Sequence, residues 1–205
     1  MLTSNIHSAQ QAILVATIAL ASGLGLGVLH RRGHLASLRA VWLPLLGFVI
    51  FGIGDAVVTL QGTWQAPWRE ANPAMRTFLL WAGWQGQCLG SALWILAWAI
   101  VLDTIEALRE HSSPSRARAL CGLRLWLVYA LALGHLNGLI SWVAPTSALG
   151  MLFRQFYRWW SREAGWLAQL SPLGYPLYSG LCFGAICALA HALVRRAYDQ
   201  LRPAQ

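Results

Sequence analysis

"VWLPLLGFVIFGIGDAVVTLQG", residues 41–62, contains one ionisable side chain, that of Asp55. A helix needs roughly 20 mostly apolar residues to cross about 30 Å of hydrocarbon, and this run is long enough. Inside such a helix a carboxylate costs about 2.5 to 3.5 kcal/mol on insertion scales unless it meets a partner or water. The stretch therefore reads as a membrane span that carries a polar group for a reason.

Four further stretches have the same character, at about 9–29, 78–102, 121–144 and 172–194. Across the 205 residues, 57% are hydrophobic and 11% charged, which is too apolar for an ordinary soluble domain. Twelve Trp and five Tyr suit the two headgroup regions, where amphipathic rings settle. The reading is all-α: a polytopic membrane bundle of five transmembrane helices plus one amphipathic interfacial helix, forming a single integral membrane domain over 1–205. The first eight residues carry no charge, unlike the basic start of a cleaved signal, so the first segment is expected to remain in the mature chain.

The net charge of +8 comes entirely from Arg, since the chain has no Lys. These Arg residues lie between apolar segments and form no single patch with interleaved aromatics, so nucleic acid is not an expected partner. Membrane lipids with anionic headgroups are, and a membrane-protein partner or a second copy of the chain stays open. Basic residues follow the first segment (Arg31, Arg32, Arg39), separate the third from the fourth (Arg109, Arg116, Arg118) and follow the fifth (Arg195, Arg196, Arg202). Positive residues favour the cytoplasmic side, which predicts a cell-membrane (inner-membrane) protein with its N-terminus outside and its C-terminus inside.

One connection departs from that charge rule. About residues 149–168, Arg154, Arg158 and Arg162 recur at helical spacing on the side expected to be outside, while Leu152, Phe153, Phe156, Trp160 and Leu167 fall largely on another face. An amphipathic helix lying in the outer interface accounts for both faces. Pro145 and Pro172 mark its expected limits. Small-xxx-small pairs at Gly23/Gly27, Gly86/Gly90, Gly134/Gly138 and Gly180/Gly184 offer close-contact faces on four of the five spans.

With this orientation the polar residues inside the spans gather in the outer half. Asp55 and Thr59 lie near the end of span two, Glu70 and Asn72 in the following connection, and Gln85 and Gln87 at the start of span three. His135 lies near mid-membrane, with Asn137 and Ser141 toward the outer surface, and Tyr175, Tyr178 and Ser179 begin span five at the same level. Asp55, Glu70 and His135 are the candidate catalytic residues and the candidate metal ligands, because carboxylates and imidazole bind divalent ions and a cation offsets buried negative charge. Thr59, Asn72, Gln85 and Asn137 are the candidates for binding ligand or supporting those three. The plain alternatives are that Asp55 only joins two helices, and that Glu70 and Asn72 cap a helix beginning at Pro73.

"DAVVT" at 55–59 followed by "EANP" at 70–73 resembles a family of small bacterial and archaeal polytopic membrane proteins of unknown function, in which an Asp-x-x-x-Thr segment precedes a Glu-x-Asn-Pro turn. The likeness spans about residues 50–80 and reaches Asp55, Thr59, Glu70, Asn72 and Pro73. It implies no particular reaction.

Phosphate loops, the His-Glu-x-x-His helix and the Gly-x-Ser-x-Gly elbow are missing from the sequence. Cys88, Cys121, Cys182 and Cys187 lack metal-ligand spacing and read as small apolar residues. His30, His34, His111 and His191 near the cytoplasmic side establish no facing pair, which makes haem a poorer cofactor candidate than a divalent metal ion. Three classes remain: a membrane-embedded enzyme, a small-solute transporter or receptor, and an accessory subunit of a membrane complex. Five spans with no visible repeat weigh somewhat against the transporter.

Overall fold

The computed structural model describes residues 2–70, 72–163 and 174–201, and every regular element among them is helical. In chain order they are α1 (Leu2–Arg31), a 3-10 segment (His34–Val41), α2 (Trp42–Thr63), a 3-10 turn (Pro67–Arg69), α3 (Pro73–Glu110), α4 (Pro114–Val143), α5 (Ala148–Glu163) and α6 (Gly174–Leu201). Among the described residues, four stretches are long and apolar enough to cross a membrane: Ser8–Arg31, His34–Thr63, Ala74–Glu110 and Pro114–Val143. In their most apolar windows only 17% to 33% of residues are buried inside the protein. The remaining apolar surface, including Leu20, Ile50, Ile100 and Val143, needs lipid to cover it.

Local chemistry sets the ends of these helices. Asn72 precedes α3 in an extended conformation, and its side-chain oxygen accepts from the backbone N–H groups of Ala74 and Met75 at 3.0 and 3.3 Å. Pro73 follows at the first helical position, where its missing N–H costs nothing. Pro114 plays the same part in α4.

The third expected span is not one straight helix. Ala82 (φ −140°, ψ 19°) and Gly83 (φ 57°, ψ −135°) leave helical conformation, and only glycine adopts the second pair of angles at little cost. A Cβ built on Gly90 would lie 3.0 Å from the Phe78 ring and 3.1 Å from Met75 Sδ. In an unbroken helix, positions 78 and 90 would be about 18 Å apart. The first turns of α3 therefore fold back over the beginning of its long second part, with the Phe78 carbonyl against Gly86. Gly86 and Gly90 serve this reversal within α3.

The other glycine pairs divide by use. Gly180 and Gly184 of α6 lie against the backbone of Ala130 and Gly134 in α4, the close approach that small-residue spacing predicts. Gly23 and Gly27 have nothing nearby; between them, Gly25 meets Ala99 of α3. Main packing joins α4 to α6 and α2, and α1 to α3. Leu14, Ile18, Leu60 and Cys88 bring α1, α2 and α3 together, while Phe48, Leu131 and Ala132 join α2 to α4.

α5 has one described aromatic anchor. Phe153 is buried and meets Phe183 of α6 edge-on at 5.3 Å, whereas Leu149, Met151, Leu152 and Arg154 are exposed. Leu167 and Pro172 lie outside the described residues, as do the side chains of Phe156, Arg158, Trp160, Arg162, Tyr175, Tyr178 and Ser179.

Candidate functional site

Asp55 of α2 and His135 of α4 meet in a hydrogen-bond contact across the helix interface, with Asp55 Oδ2 2.8 Å from His135 Nδ1. Each stands over a glycine of the opposite helix. Gly52 faces the His135 ring, and a Cβ added there would meet it at ordinary contact distance, 3.8 Å. Gly138 faces Asp55 far more closely: a Cβ there would lie 2.5 to 2.7 Å from the carboxylate atoms. Phe48 covers the imidazole from α2, with ring centroids 5.4 Å apart.

This geometry fixes the hydrogens when Asp55 is ionised. A carboxylate can only accept, so Nδ1 of His135 carries a proton and donates it, and in the neutral imidazole this leaves the lone pair on Nε2. No described residue hydrogen-bonds Nε2. The two side chains retain 22% and 24% exposure, so the pair is not sealed within the protein.

The expected third member is elsewhere. Glu70 Oε1 accepts from the backbone N–H of Asn72 at 2.7 Å, while the Asn72 side chain caps α3. Among the described residues, no group of three His, Cys, Asp or Glu is arranged to hold a metal ion. The expected metal set of Asp55, Glu70 and His135 is thus not assembled. Two turns of α2 and a 3-10 turn separate Asp55 from Glu70 along the chain, and the local helix-start contact uses the Glu70 carboxylate.

The supporting residues scatter as well. Thr59 is buried, and its carbonyl accepts from the Thr63 hydroxyl at 2.6 Å. Gln85 is exposed just after the α3 reversal. Gln87 is the buried glutamine, 1% exposed, and donates through Nε2 to the Ala56 carbonyl at 2.7 Å. It holds the opposite side of α2 one residue beyond Asp55, a role that common depth did not distinguish from that of Gln85. Asn137 is fully buried in α4.

A second charged cluster lies at the other end of the bundle. Asp103, Glu106 and Glu110 recur on one side of the last turns of α3. Asp103 contacts His34 Nδ1 at 2.8 Å and Arg32 at 3.1 Å; Glu110 lies 3.4 Å from His34 Nε2. Glu106 accepts from Arg124 of α4 at 2.5 Å and from Arg109 at 2.6 Å, and Arg124 also donates to the Ser37 hydroxyl and carbonyl. Glu106 and Arg124 are almost completely buried. The acidic spacing in "DTIEALRE", residues 103–110, and Arg124 inside an apolar run were the available sequence signals.

The two clusters differ chemically. At the Arg-rich end the buried charges of Asp103 and Glu106 each meet two cationic or ionisable partners, a stapled network joining the 3-10 segment, α3 and α4. Asp55 instead has one described ionisable partner, whose Nε2 meets no hydrogen-bonding group among the described residues. Two further histidines are also engaged: His111 Nδ1 lies 2.8 Å from the Ala107 carbonyl, and His191 Nδ1 2.9 Å from the Tyr129 hydroxyl.

Compared with known protein families, curated proteins and solved structures, the chain matches none.

Proposed function

We propose that this protein is a multi-pass membrane protein whose working centre is the Asp55–His135 pair, a proton acceptor for a reaction or coupled movement that reaches it from the outer half of the bundle. The observation that carries the proposal is the 2.8 Å carboxylate–imidazole contact, with Nε2 meeting no hydrogen-bonding group among the described residues. Asp55 holds the imidazole in one tautomer and stabilises its protonated form, so His135 accepts a proton at Nε2 without leaving a buried charge unpaired. This is the chemistry of a general base, which places a membrane-embedded enzyme first. A proton-coupled carrier is the second reading, because the same partial exposure permits exchange with water.

The proposed membrane arrangement has five spans, with α6 as the fifth and α5 lying in the outer interface. α6 is 28 residues long and runs against α4 through its own glycines. The orientation places the ends of α2 and α4 outside and the Arg-rich cluster in the cytoplasm, in keeping with the positive-inside rule. The likeness to the Asp-x-x-x-Thr family supports Asp55 as a functional residue, while Glu70 and Asn72 act at the start of α3.

Infrared difference spectra of the purified protein in lipid, recorded across a pH step, test the pair. The expected result is a reversible carboxylate and imidazole signal in the wild type that both Asp55→Asn and His135→Gln remove while the helical content stays. A signal unchanged by either substitution would overturn the proposal. Folded variants with no wild-type signal to lose would assign the pair to helix joining.

A further inference from the structure

An open polar cleft of about 640 Å³ lies where α2 ends, lined by Gln11 of α1 and by Gln61, Gly62, Trp64, Gln65, Ala66 and Arg69. Its chemistry is unusual for a surface otherwise facing lipid. The amides of Gln11, Gln61 and Gln65 hydrogen-bond no described residue, and the Arg69 guanidinium has no carboxylate partner among them. The neighbouring carboxylate of Glu70 is turned to the Asn72 N–H. One fixed positive charge and three amide groups thus converge on one opening.

We propose that this cleft binds the anionic phosphodiester headgroup of a membrane phospholipid. The guanidinium matches the single charge of a phosphodiester and donates through several N–H groups, while glutamine amides pair with remaining phosphate oxygens or with headgroup hydroxyls. Trp64 and Trp68 beside it are 38% and 65% exposed, and indole rings settle at the depth of headgroups. That depth favours a lipid over free phosphate as the source of the same chemistry. Assignment to the outer leaflet rests on the orientation proposed above; the binding test does not.

Native mass spectrometry of the detergent-purified protein, titrated with phosphatidylglycerol or phosphatidylcholine, measures this directly. Phosphatidylglycerol is expected to bind more tightly than phosphatidylcholine, and Arg69→Gln to weaken it about tenfold or more. Gln61→Leu with Gln65→Leu should weaken it as well. Arg154→Gln removes another exposed cation, on α5, and should leave the affinity unchanged; thermal melts confirm that each variant is folded. Equal loss in Arg69→Gln and Arg154→Gln would overturn the proposal in favour of unspecific charge attraction, and equal binding of both lipids would overturn the assignment of an anionic headgroup. Displacement of the lipid by inorganic phosphate at the same concentration would overturn the lipid assignment and make a soluble phosphate the ligand.

Discussion

Asp55 and His135 meet where each faces a glycine of the opposite helix, and the contact depends on those glycines. That dependence is unequal. Gly138→Ala would drive a methyl group into the Asp55 carboxylate, whereas a methyl at Gly52 would reach the His135 ring at 3.8 Å. Gly138→Ala is therefore expected to destabilise the protein by about 1 to 3 kcal/mol, as overpacking does, and to abolish the pH-dependent infrared signal of the pair. Gly52→Ala should keep that signal, and unfolding in mixed micelles should show little change. Glu106 provides a contrasting test, since it is buried against Arg124 and its loss strands a guanidinium. Glu106→Leu should cost about 3 to 5 kcal/mol in the same assay, and the double change Glu106→Leu, Arg124→Met should recover most of it. Asp55 was legible in the sequence because a lone carboxylate in an apolar run demands a partner, and His135 because it lies at the same depth. Gly138 was visible only as half of a small-residue pair, since a contact with a carboxylate on another helix leaves no trace in local spacing. Glu70 misled for the opposite reason: a carboxylate two residues before an Asn-Pro helix start serves the backbone there, and motif proximity does not distinguish that from a site.

Among the elements, α3 shows most clearly what hydropathy conceals. The run 78–102 carries no charged residue, so composition alone reads it as a single span, yet Gly83 reverses the chain inside it. Backbone angles of φ 57° and ψ −135° exclude a Cβ at low cost, so Gly83→Ala should destabilise by roughly 1 to 3 kcal/mol. Gly23→Ala, which has open space around it and a regular helical setting, should be neutral or stabilising by about 0.5 to 1 kcal/mol in the same thermal unfolding series. Equal effects at the two positions would contradict the reversal. Helix starts at Pro73 and Pro114 were readable because proline at the first turn has a local cause. Which glycines join which helices was not, because Gly25, which contacts Ala99, has the same sequence surroundings as the unused Gly23 and Gly27.

For the whole molecule, apolar helices with so little surface buried among themselves make a bilayer the natural solvent, and the two charged clusters lie at different depths of the bundle. The Arg-rich cluster is internally compensated and anchors one end; the Asp55–His135 pair lies nearer the other, with no described group on Nε2. The proposed proton site would then communicate with one side of the membrane. Sealed proteoliposomes prepared separately in each uniform orientation, perfused on an infrared cell so that pH changes only outside the vesicles, test it directly. The Asp55–His135 signal is expected to follow the external pH when the ends of α2 and α4 face the perfusate, and to stay silent in the opposite orientation. A response from the Arg-rich side alone, or the same response in both orientations, would contradict it.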